Sequence, residues 1–199
     1  HWFSTIFGVN FFAGSLVASL SVVAIATILL NENGYMGKGI LGDHYYSLGF
    51  GMFAGCVFWT YTTFSQGMLI WYANIPEETS WVLNRWNNGW DIITWSLLAV
   101  HFIIPMAGLI QRKNKRDPGR MLFMAVWIIF AHLLDLYWIV MPAHNHVAGT
   151  HGPSLGLAEF AAVAIIAGFI IVIFQQMAKG KNLVPVGDPK LQRGLNFRL

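Results

Sequence analysis

Long apolar segments separated by short polar stretches dominate this chain. Five of them are long enough to cross a bilayer core of about 30 Å, which takes about 20 helical residues. They lie at residues 5–30, 45–73, 91–111, 121–141 and 155–177. This pattern predicts an all-α integral membrane protein with five transmembrane helices that pack into a bundle. We expect residues 1–177 to form the bundle and residues 178–199 to form a cytoplasmic tail.

The composition is also that of a membrane protein. Of the 199 residues, 56% are hydrophobic and 11% are charged, whereas soluble domains carry about 25% charged residues. The single cysteine, Cys56, excludes an internal disulfide and a cysteine-based metal centre built by this chain alone. The first apolar segment begins near His1 without a basic region or a cleavage site, so it is predicted to be a membrane span rather than a signal peptide. The abrupt start leads us to expect a further N-terminal part in the natural protein.

Basic residues predict the orientation of the spans. If the five spans alternate in direction, one face of the membrane receives eleven of the twelve basic residues, and only Arg85 lies on the other face. The first set comprises Lys38, Arg112, Lys113, Lys115, Arg116, Arg120, Lys179, Lys181, Lys190, Arg193 and Arg198. The positive-inside rule makes this face cytoplasmic, and the opposite face gathers tryptophans typical of an interfacial belt, among them Trp2 and Trp138. We therefore predict a multi-pass membrane protein with a cytoplasmic C-terminus and no nucleic-acid partner.

Two polar residues interrupt the fourth span where hydrocarbon is expected. His132 lies near the middle of the span and Asp135 lies about 4.5 Å nearer the outer face. A spacing of three residues puts both side chains on one face of the helix. A charged carboxylate at such a depth costs about 2.5–3.5 kcal/mol or more. The third span has His101 at its midpoint, followed by Pro105, which predicts a kink and a free backbone carbonyl at residue 101.

Further polar side chains lie near the middle of the first two spans. A chain of such groups with histidine and water is suited to passing protons, because histidine titrates near neutral pH. Asn10, Thr62 and Thr63 could belong to this polar series. The side chains that we predict to transfer protons are Asp135, His132, His101, Gln66, Ser65 and Tyr61.

Other interpretations of these residues stay open. Hydrogen bonds among Asp135, His132 and His101 could serve only to lock the helices, which would make the chain a structural scaffold. The two histidines lie at similar depth on adjacent helices, so they could instead ligate a b-type haem. Near the outer face, His144, His146 and His151 suggest a metal site, but no acidic or cysteine ligand accompanies them. A solvated loop explains these three better, and we predict no metal site.

Three stretches of the chain resemble a known family of membrane subunits. They are "HWFSTIFGVNFFAGS", "SQGMLIWYANIPEET" and "HLLDLYWIVMP", in this order. Together they are similar to the F-type membrane subunit of alternative complex III, the bacterial quinol:cytochrome c oxidoreductase, within the polysulfide reductase/NrfD-like family. The family subunit has two four-helix bundles with flanking helices. The resemblance runs the length of the chain and implies that the chain corresponds to the C-terminal half. It would then form the second bundle and the last helix, that is, a four-helix bundle plus one flanking helix, in the bacterial inner (cytoplasmic) membrane.

The resemblance also implies a function and partners. It implies a non-catalytic or quinone-binding subunit of a respiratory, or photosynthetic, electron-transport complex that oxidises quinol. The implied partners are a related membrane subunit, an iron–sulfur subunit and multihaem cytochrome c subunits, so that the haem c and iron–sulfur clusters belong to partners and this chain holds no redox cofactor. Carried over to this sequence, Asp135, His132 and His101 would form a proton path coupled to quinol oxidation. The alternative is direct binding of quinol or menaquinol near His101 and Tyr61.

Overall fold

The computed structural model describes residues 4–36, 39–148 and 152–198 of the chain, without the side chains of residues 146–148. Within these ranges the chain is helical and contains no strand. Trp2, Lys38, His151 and the side chain of His146, all named in the sequence analysis, lie outside the described residues.

The described part of the chain forms nine α-helices in sequence, with a π-helical segment, Leu98–Ile103, between the fourth and the fifth. The α-helices are α1 (Thr5–Glu32), α2 (Gly42–Ala73), α3 (Pro76–Leu83), α4 (Trp90–Leu97), α5 (Ile104–Leu109), α6 (Arg112–Arg116), α7 (Pro118–Ala148), α8 (Leu157–Ala178) and α9 (Leu191–Leu195). Four helical stretches are long and apolar enough to cross a membrane: Thr5–Glu32, Trp90–Leu109, Pro118–Asn145 and Leu157–Ala178. The prediction of an all-helical, multi-pass membrane protein is confirmed at this level.

The second predicted span differs from the other four. It forms the 32-residue helix α2, but α2 does not belong to the four stretches with transmembrane hydropathy, because serine, threonine and glutamine side chains interrupt its apolar residues. The helix nevertheless runs beside α1 from one end to the other. At one end Asn31 Nδ2 donates a hydrogen bond to the Tyr45 hydroxyl at 2.9 Å, and at the other end Ser4 Oγ donates to Gln66 Oε1 at 2.6 Å. Four of the five predicted spans are therefore helices long and apolar enough to cross a membrane, and the span count of five stays a prediction.

The bundle is held together by buried stripes on α1, α2 and α7. Buried residues recur on each helix at spacings of three and four, which places them on one face. Helices with such stripes pack side by side with interlocking side chains. On α7 the stripe consists of Met121, Met124, Ala125, Ile128, Ala131, His132 and Asp135. The stripe is apolar along its first half and becomes polar in the middle of the helix.

Pro105 changes the middle of the third span, Leu98–Ile103, into a π-helical segment. The N–H of Ile104 donates to the carbonyl five residues back in the chain instead of four. In this register the N–H that would reach the carbonyl of Val100 belongs to Pro105, which has none. The indole N–H of Trp127, on α7, donates to that carbonyl at 2.9 Å instead. The sequence predicted a free carbonyl at His101, four residues before Pro105. In the π register each N–H donates to the carbonyl five residues back, so the carbonyl that Pro105 leaves without a helical donor is that of Val100.

Helix α8 stands apart from the bundle, since none of its residues is buried. The chain after α8 returns to the start of α2, where His44 Nε2 lies 3.0 Å from the carbonyl oxygen of Gly194. An ion pair between Arg116 and Asp43 brings α6 to the same place. We call this end of the molecule, formed by residues 33–36, 39–44, 111–117 and 179–198, the basic end. We call the opposite end, formed by residues 73–90 and 152–157, the outer end.

Candidate functional site

Three of the predicted site residues meet in the interior of the bundle. One ring nitrogen of His101, one of His132 and a carboxylate oxygen of Asp135 lie within 4.8 Å of one another. Their exposed fractions are 0%, 9% and 2%. His101 comes from the π-helical segment, and the other two come from the buried stripe of α7. We call these three residues the acid–histidine cluster.

Trp59, on α2, completes this cluster. Its indole N–H donates a hydrogen bond to Asp135 Oδ2 at 3.1 Å. The same ring stacks on the imidazole of His101, with 3.9 Å between ring centroids and 16° between planes. The sequence analysis missed Trp59, because a tryptophan in an apolar helix is ordinarily counted with interfacial aromatics. The available signal was its position in the middle of a span rather than at an end.

Helix α1 contributes to the cluster by lacking a side chain at Gly14. A Cβ atom at this position would lie 3.0 Å from both Cε1 and Nδ1 of His132 and 3.4 Å from Cδ1 of Trp59. Contacts that short require the neighbouring ring to move. Gly14 therefore allows the backbone of α1 to close directly over the imidazole of His132.

The cluster contains ring nitrogens that have no hydrogen-bond partner in the described part of the chain. They are Nδ1 and Nε2 of His101 and Nδ1 of His132. Leaving a buried polar atom unpaired costs about 1–3 kcal/mol. Such atoms in a native protein call for an explanation, such as a bound water or ion or a role in chemistry. The histidines therefore offer open positions for a proton or a water molecule next to the carboxyl group of Asp135.

The geometry weighs against the haem interpretation. A porphyrin would have to lie between the imidazoles of His101 and His132, as each would bind the iron from one side. The stacked indole of Trp59 and the close backbone of Gly14 oppose the helix separation that this requires. Two imidazoles and one carboxylate also match the composition of some divalent-metal sites. The metal content of the purified protein tests that interpretation directly.

Polar side chains continue from the cluster toward the outer end. Asn10 Nδ2 donates to Thr63 Oγ1 at 2.6 Å and lies 3.3 Å from the carbonyl oxygen of Trp59. Near the end of the helix pair, Gln66 accepts the hydrogen bond from Ser4. The side chains between Asp135 and the outer end of α1 and α2 thus form a nearly continuous polar series.

A cavity of about 860 Å³ lies beside this series at the outer end. Its polar lining includes Asn10, Thr63 and Gln66 next to the polar series, together with Asn74, Thr79 and Thr94. Its apolar wall includes four tryptophans: Trp71, Trp81, Trp86 and Trp138. Asn10, which lines the cavity, lies 3.3 Å from the carbonyl oxygen of Trp59, whose indole N–H donates to Asp135.

The core between the cluster and the basic end is apolar. It contains Val17, Ala24, Ile28, Met52, Cys56, Leu109, Met121, Met124, Ala125 and Ile128. Ser21, a buried polar residue at this depth, donates its hydroxyl to the carbonyl of Val17 in its own helix. Within the described residues, the buried polar series therefore leads from Asp135 to the outer end and does not continue to the basic end.

Three of the predicted site residues, Tyr61, Ser65 and Gln66, do not join the cluster. The side chain of Tyr61 is 65% exposed. It lies two residues after Trp59, which corresponds to about 200° around the helix, so it points away from Asp135. Ser65 is half-buried, one turn beyond Thr62. Tyr61 therefore lies apart from the acid–histidine cluster, and Gln66 is connected to the cluster only through the polar series, so the predicted roles of these side chains in proton transfer stay predictions.

Arg85, the one basic residue predicted on the outer face, is buried at the outer end. Its guanidinium stacks over Trp81 at 3.5 Å from the ring centroid. It donates to the carbonyl oxygens of Trp81, Trp138 and Ile139 at 2.8–3.2 Å. Burial lowers the pKa of Arg85 to about 10, so the side chain is still charged at neutral pH. Arg85 therefore fastens α3 to α7 beside the outer cavity.

Fold and site together define a helical membrane protein with a buried acid–histidine cluster that is polar on one side and sealed by apolar residues on the other. No protein-family model matches the chain. No curated protein matches it either. The resemblance to the F-type subunit of alternative complex III therefore stays a prediction that depends on the quoted residues.

Proposed function

We propose that this chain is a membrane subunit of a quinol-oxidising complex of the alternative complex III type, in which Asp135 takes up and releases a proton. The observation that carries the proposal is the position of this carboxyl group. It is almost fully buried beside two imidazoles, and the described ion pairs with arginine lie elsewhere, at the basic end. A buried carboxyl group without a fixed counter-charge is suited to exchanging a proton with neighbouring histidines.

The proposed arrangement in the membrane follows from the two ends of the molecule. Helix α2 would cross as the fifth span, since it runs the whole length of α1. The basic end would face the cytoplasm of a bacterial cell, because the described lysines and arginines other than Arg85 lie in or next to its segments. The related membrane subunit, the iron–sulfur subunit and the multihaem cytochrome c subunits would be the partners, and they would hold the redox cofactors.

The polar series indicates the side from which protons reach Asp135. Asn10, Thr63 and Gln66 connect the neighbourhood of the cluster with the outer cavity, whereas the core on the other side is apolar. The proton path would therefore be a half-channel between Asp135 and the outer end. Asn10 in the cavity wall contacts the backbone carbonyl of Trp59, whose indole holds Asp135, so water or a side-chain movement would have to bridge this residue.

The decisive experiment is Asp135→Asn in the complete complex, reconstituted in liposomes. The amide keeps the shape of the side chain and an oxygen acceptor for the indole N–H of Trp59, but it cannot exchange a proton in the same way. We expect assembly to be retained and proton uptake coupled to quinol oxidation to fall to background. Asp188→Asn, in the exposed C-terminal segment, is the matched control. Unchanged proton stoichiometry and rate in Asp135→Asn would refute the proton path and favour the scaffold interpretation.

Direct quinol binding by this chain is the second proposal, and a different observation favours it. The outer cavity has a volume within the range of about 300–1,000 Å³ that is usual for small-molecule sites. The side-chain amide N–H of Gln66 could donate to a quinone oxygen, and Oδ1 of Asn10, whose N–H groups already bond Thr63 and its neighbours, could accept from a quinol hydroxyl. The site would then differ from the one predicted near His101 and Tyr61, because the first is fully buried and the second faces away. A photoreactive quinone should label this cavity, and labelling confined to partner subunits would refute this proposal.

A further inference from the structure

A second cavity, of about 1130 Å³, lies between α1 and α8 in the half of the molecule near the basic end. Residues 22–36 supply one wall and residues 170–178 supply the other. Residues 179–186 close it at the basic end. Since the C-terminal ends of α1 and α8 line the same cavity, the two helices end at the same side of the molecule. We call this cavity the α1–α8 crevice.

The long walls of the α1–α8 crevice are apolar. Leu29 on one wall and Ile170 and Phe174 on the other are exposed large hydrophobic residues. Because no residue of α8 is buried, the described part of the chain does not fill the space between this helix and α1. Apolar surface of this kind is stable only when lipid or another apolar body covers it.

The closed end of the crevice has a different chemistry. Lys179 and Lys181 line it together with the amide side chains of Gln175 and Asn182. The lining contains no aspartate or glutamate, so the two lysines form a positive end without a carboxylate of the lining to neutralise it. Basic pockets between transmembrane helices are suited to the head groups of anionic lipids.

We propose that the α1–α8 crevice binds an anionic phospholipid. The acyl chains would lie against the apolar walls, parallel to the helices, and the phosphate would meet Lys179 and Lys181. The bound lipid would join α8 to the bundle in place of direct contacts between helices. This site is separate from the acid–histidine cluster, so the proposal does not depend on the proton path.

A helix from another subunit is the competing occupant. It would cover the same apolar walls, but it would give the two lysines at the closed end a partner only if it carried acidic residues at that depth. A phospholipid supplies the acyl chains and the negatively charged phosphate in one molecule. The distance between the chains and the phosphate is then the one that a lipid has in the bilayer. The charge at the closed end therefore favours the lipid.

The test is lipid retention by the complete complex, purified in mild detergent and exchanged into phosphatidylglycerol or phosphatidylcholine. Native mass spectrometry and lipid quantification should show selective retention of phosphatidylglycerol. The double variant Lys179→Gln/Lys181→Gln should lose about fivefold in this retention for each lysine and leave phosphatidylcholine unaffected. Ala26→Phe, which fills the apolar wall, should reduce retention of both lipids.

The matched controls lie outside the crevice. Lys113→Gln/Lys190→Gln removes two exposed charges at the same end, and Ala162→Phe adds a ring on the other side of α8; neither should change retention. Equal retention of both lipids, or unchanged selectivity in the Lys179→Gln/Lys181→Gln variant, would overturn the proposal. A protein helix found in the crevice of the complete complex would also overturn it. If the Ala26→Phe variant fails to assemble, lipid retention by the Lys179→Gln/Lys181→Gln variant decides the test, because replacing these two exposed lysines leaves the core intact.

Discussion

Replacing Arg85 with methionine should destabilise the outer end of the bundle by about 2–5 kcal/mol. The reason lies in Pro142, which is inside α7 and has no N–H to donate to the carbonyl of Trp138, four residues earlier. Arg85 Nε supplies the missing donor at 3.2 Å. Methionine fills similar volume but leaves this carbonyl unpaired, which costs about 1–3 kcal/mol. Loss of the cation–π contact with Trp81 adds about 1–2 kcal/mol.

A double-mutant cycle isolates this mechanism. Pro142→Ala restores an N–H that can reach the carbonyl of Trp138 within the helix, so Arg85→Met should cost about 1–2 kcal/mol less in the Pro142→Ala background. The measurement is the free energy of unfolding in detergent, followed by circular dichroism. Arg85→Lys keeps the charge, but its single ammonium group cannot replace the planar set of N–H donors that reaches three carbonyl oxygens. This variant should therefore lose an intermediate amount of the free energy of unfolding. Additive effects of Arg85→Met and Pro142→Ala would refute the explanation.

The pH dependence of the Arg85 contribution gives an independent check. Burial lowers the pKa of Arg85 in the folded state to about 10, below its value in the unfolded chain. The folded state therefore binds fewer protons than the unfolded state only between these two values, and stability attributable to Arg85 rises with pH in that window. Between pH 6 and 9 both states are protonated. The stability difference between wild type and Arg85→Met should thus be constant there, and a slope would contradict the assignment.

Three further substitutions test the site. Trp59→Phe keeps a ring over His101 but removes the N–H donor to Asp135. The pH profile of proton uptake in liposomes should therefore shift, and an unchanged profile would exclude a role of Trp59 in positioning Asp135. Gly14→Val should lower the free energy of unfolding by about 1–3 kcal/mol, because its side chain meets His132; Gly8→Val, with open space around it, is the control. Tyr61→Phe should leave proton uptake and electron transfer unchanged, and a loss of either would return this exposed residue to the site.

The positions of the helices could be predicted within a few residues, because apolar character accumulates along a continuous segment. The predicted span 155–177 is the helix Leu157–Ala178, and 91–111 is Trp90–Leu109. The fourth span continues past its predicted end at residue 141, as Pro142 can lie inside a helix when Arg85 bonds the carbonyl that it frees. The predicted kink near Pro105 became a π-helical turn, since the tertiary contact with Trp127 stabilises a shifted register.

The candidate site was predictable only in part. The three-residue spacing of His132 and Asp135 placed them on one face, and the depth of His101 placed it opposite them. The contacts of Trp59 and Gly14 with the cluster could not be predicted from the sequence, because they depend on which side of α2 and α1 turns toward α7. Tyr61 was assigned to the site for its polarity and depth alone, and the rotation of α2 places it on the opposite side.

By itself, the sequence determined that this is a helical membrane protein with an acidic group deep inside one span, since hydropathy and helical period are local properties of the chain. Only the tertiary structure decided which polar groups meet that acid and from which end they approach it. The rotation of each helix about its axis depends on the packing of the whole interface, and a local pattern does not contain that information.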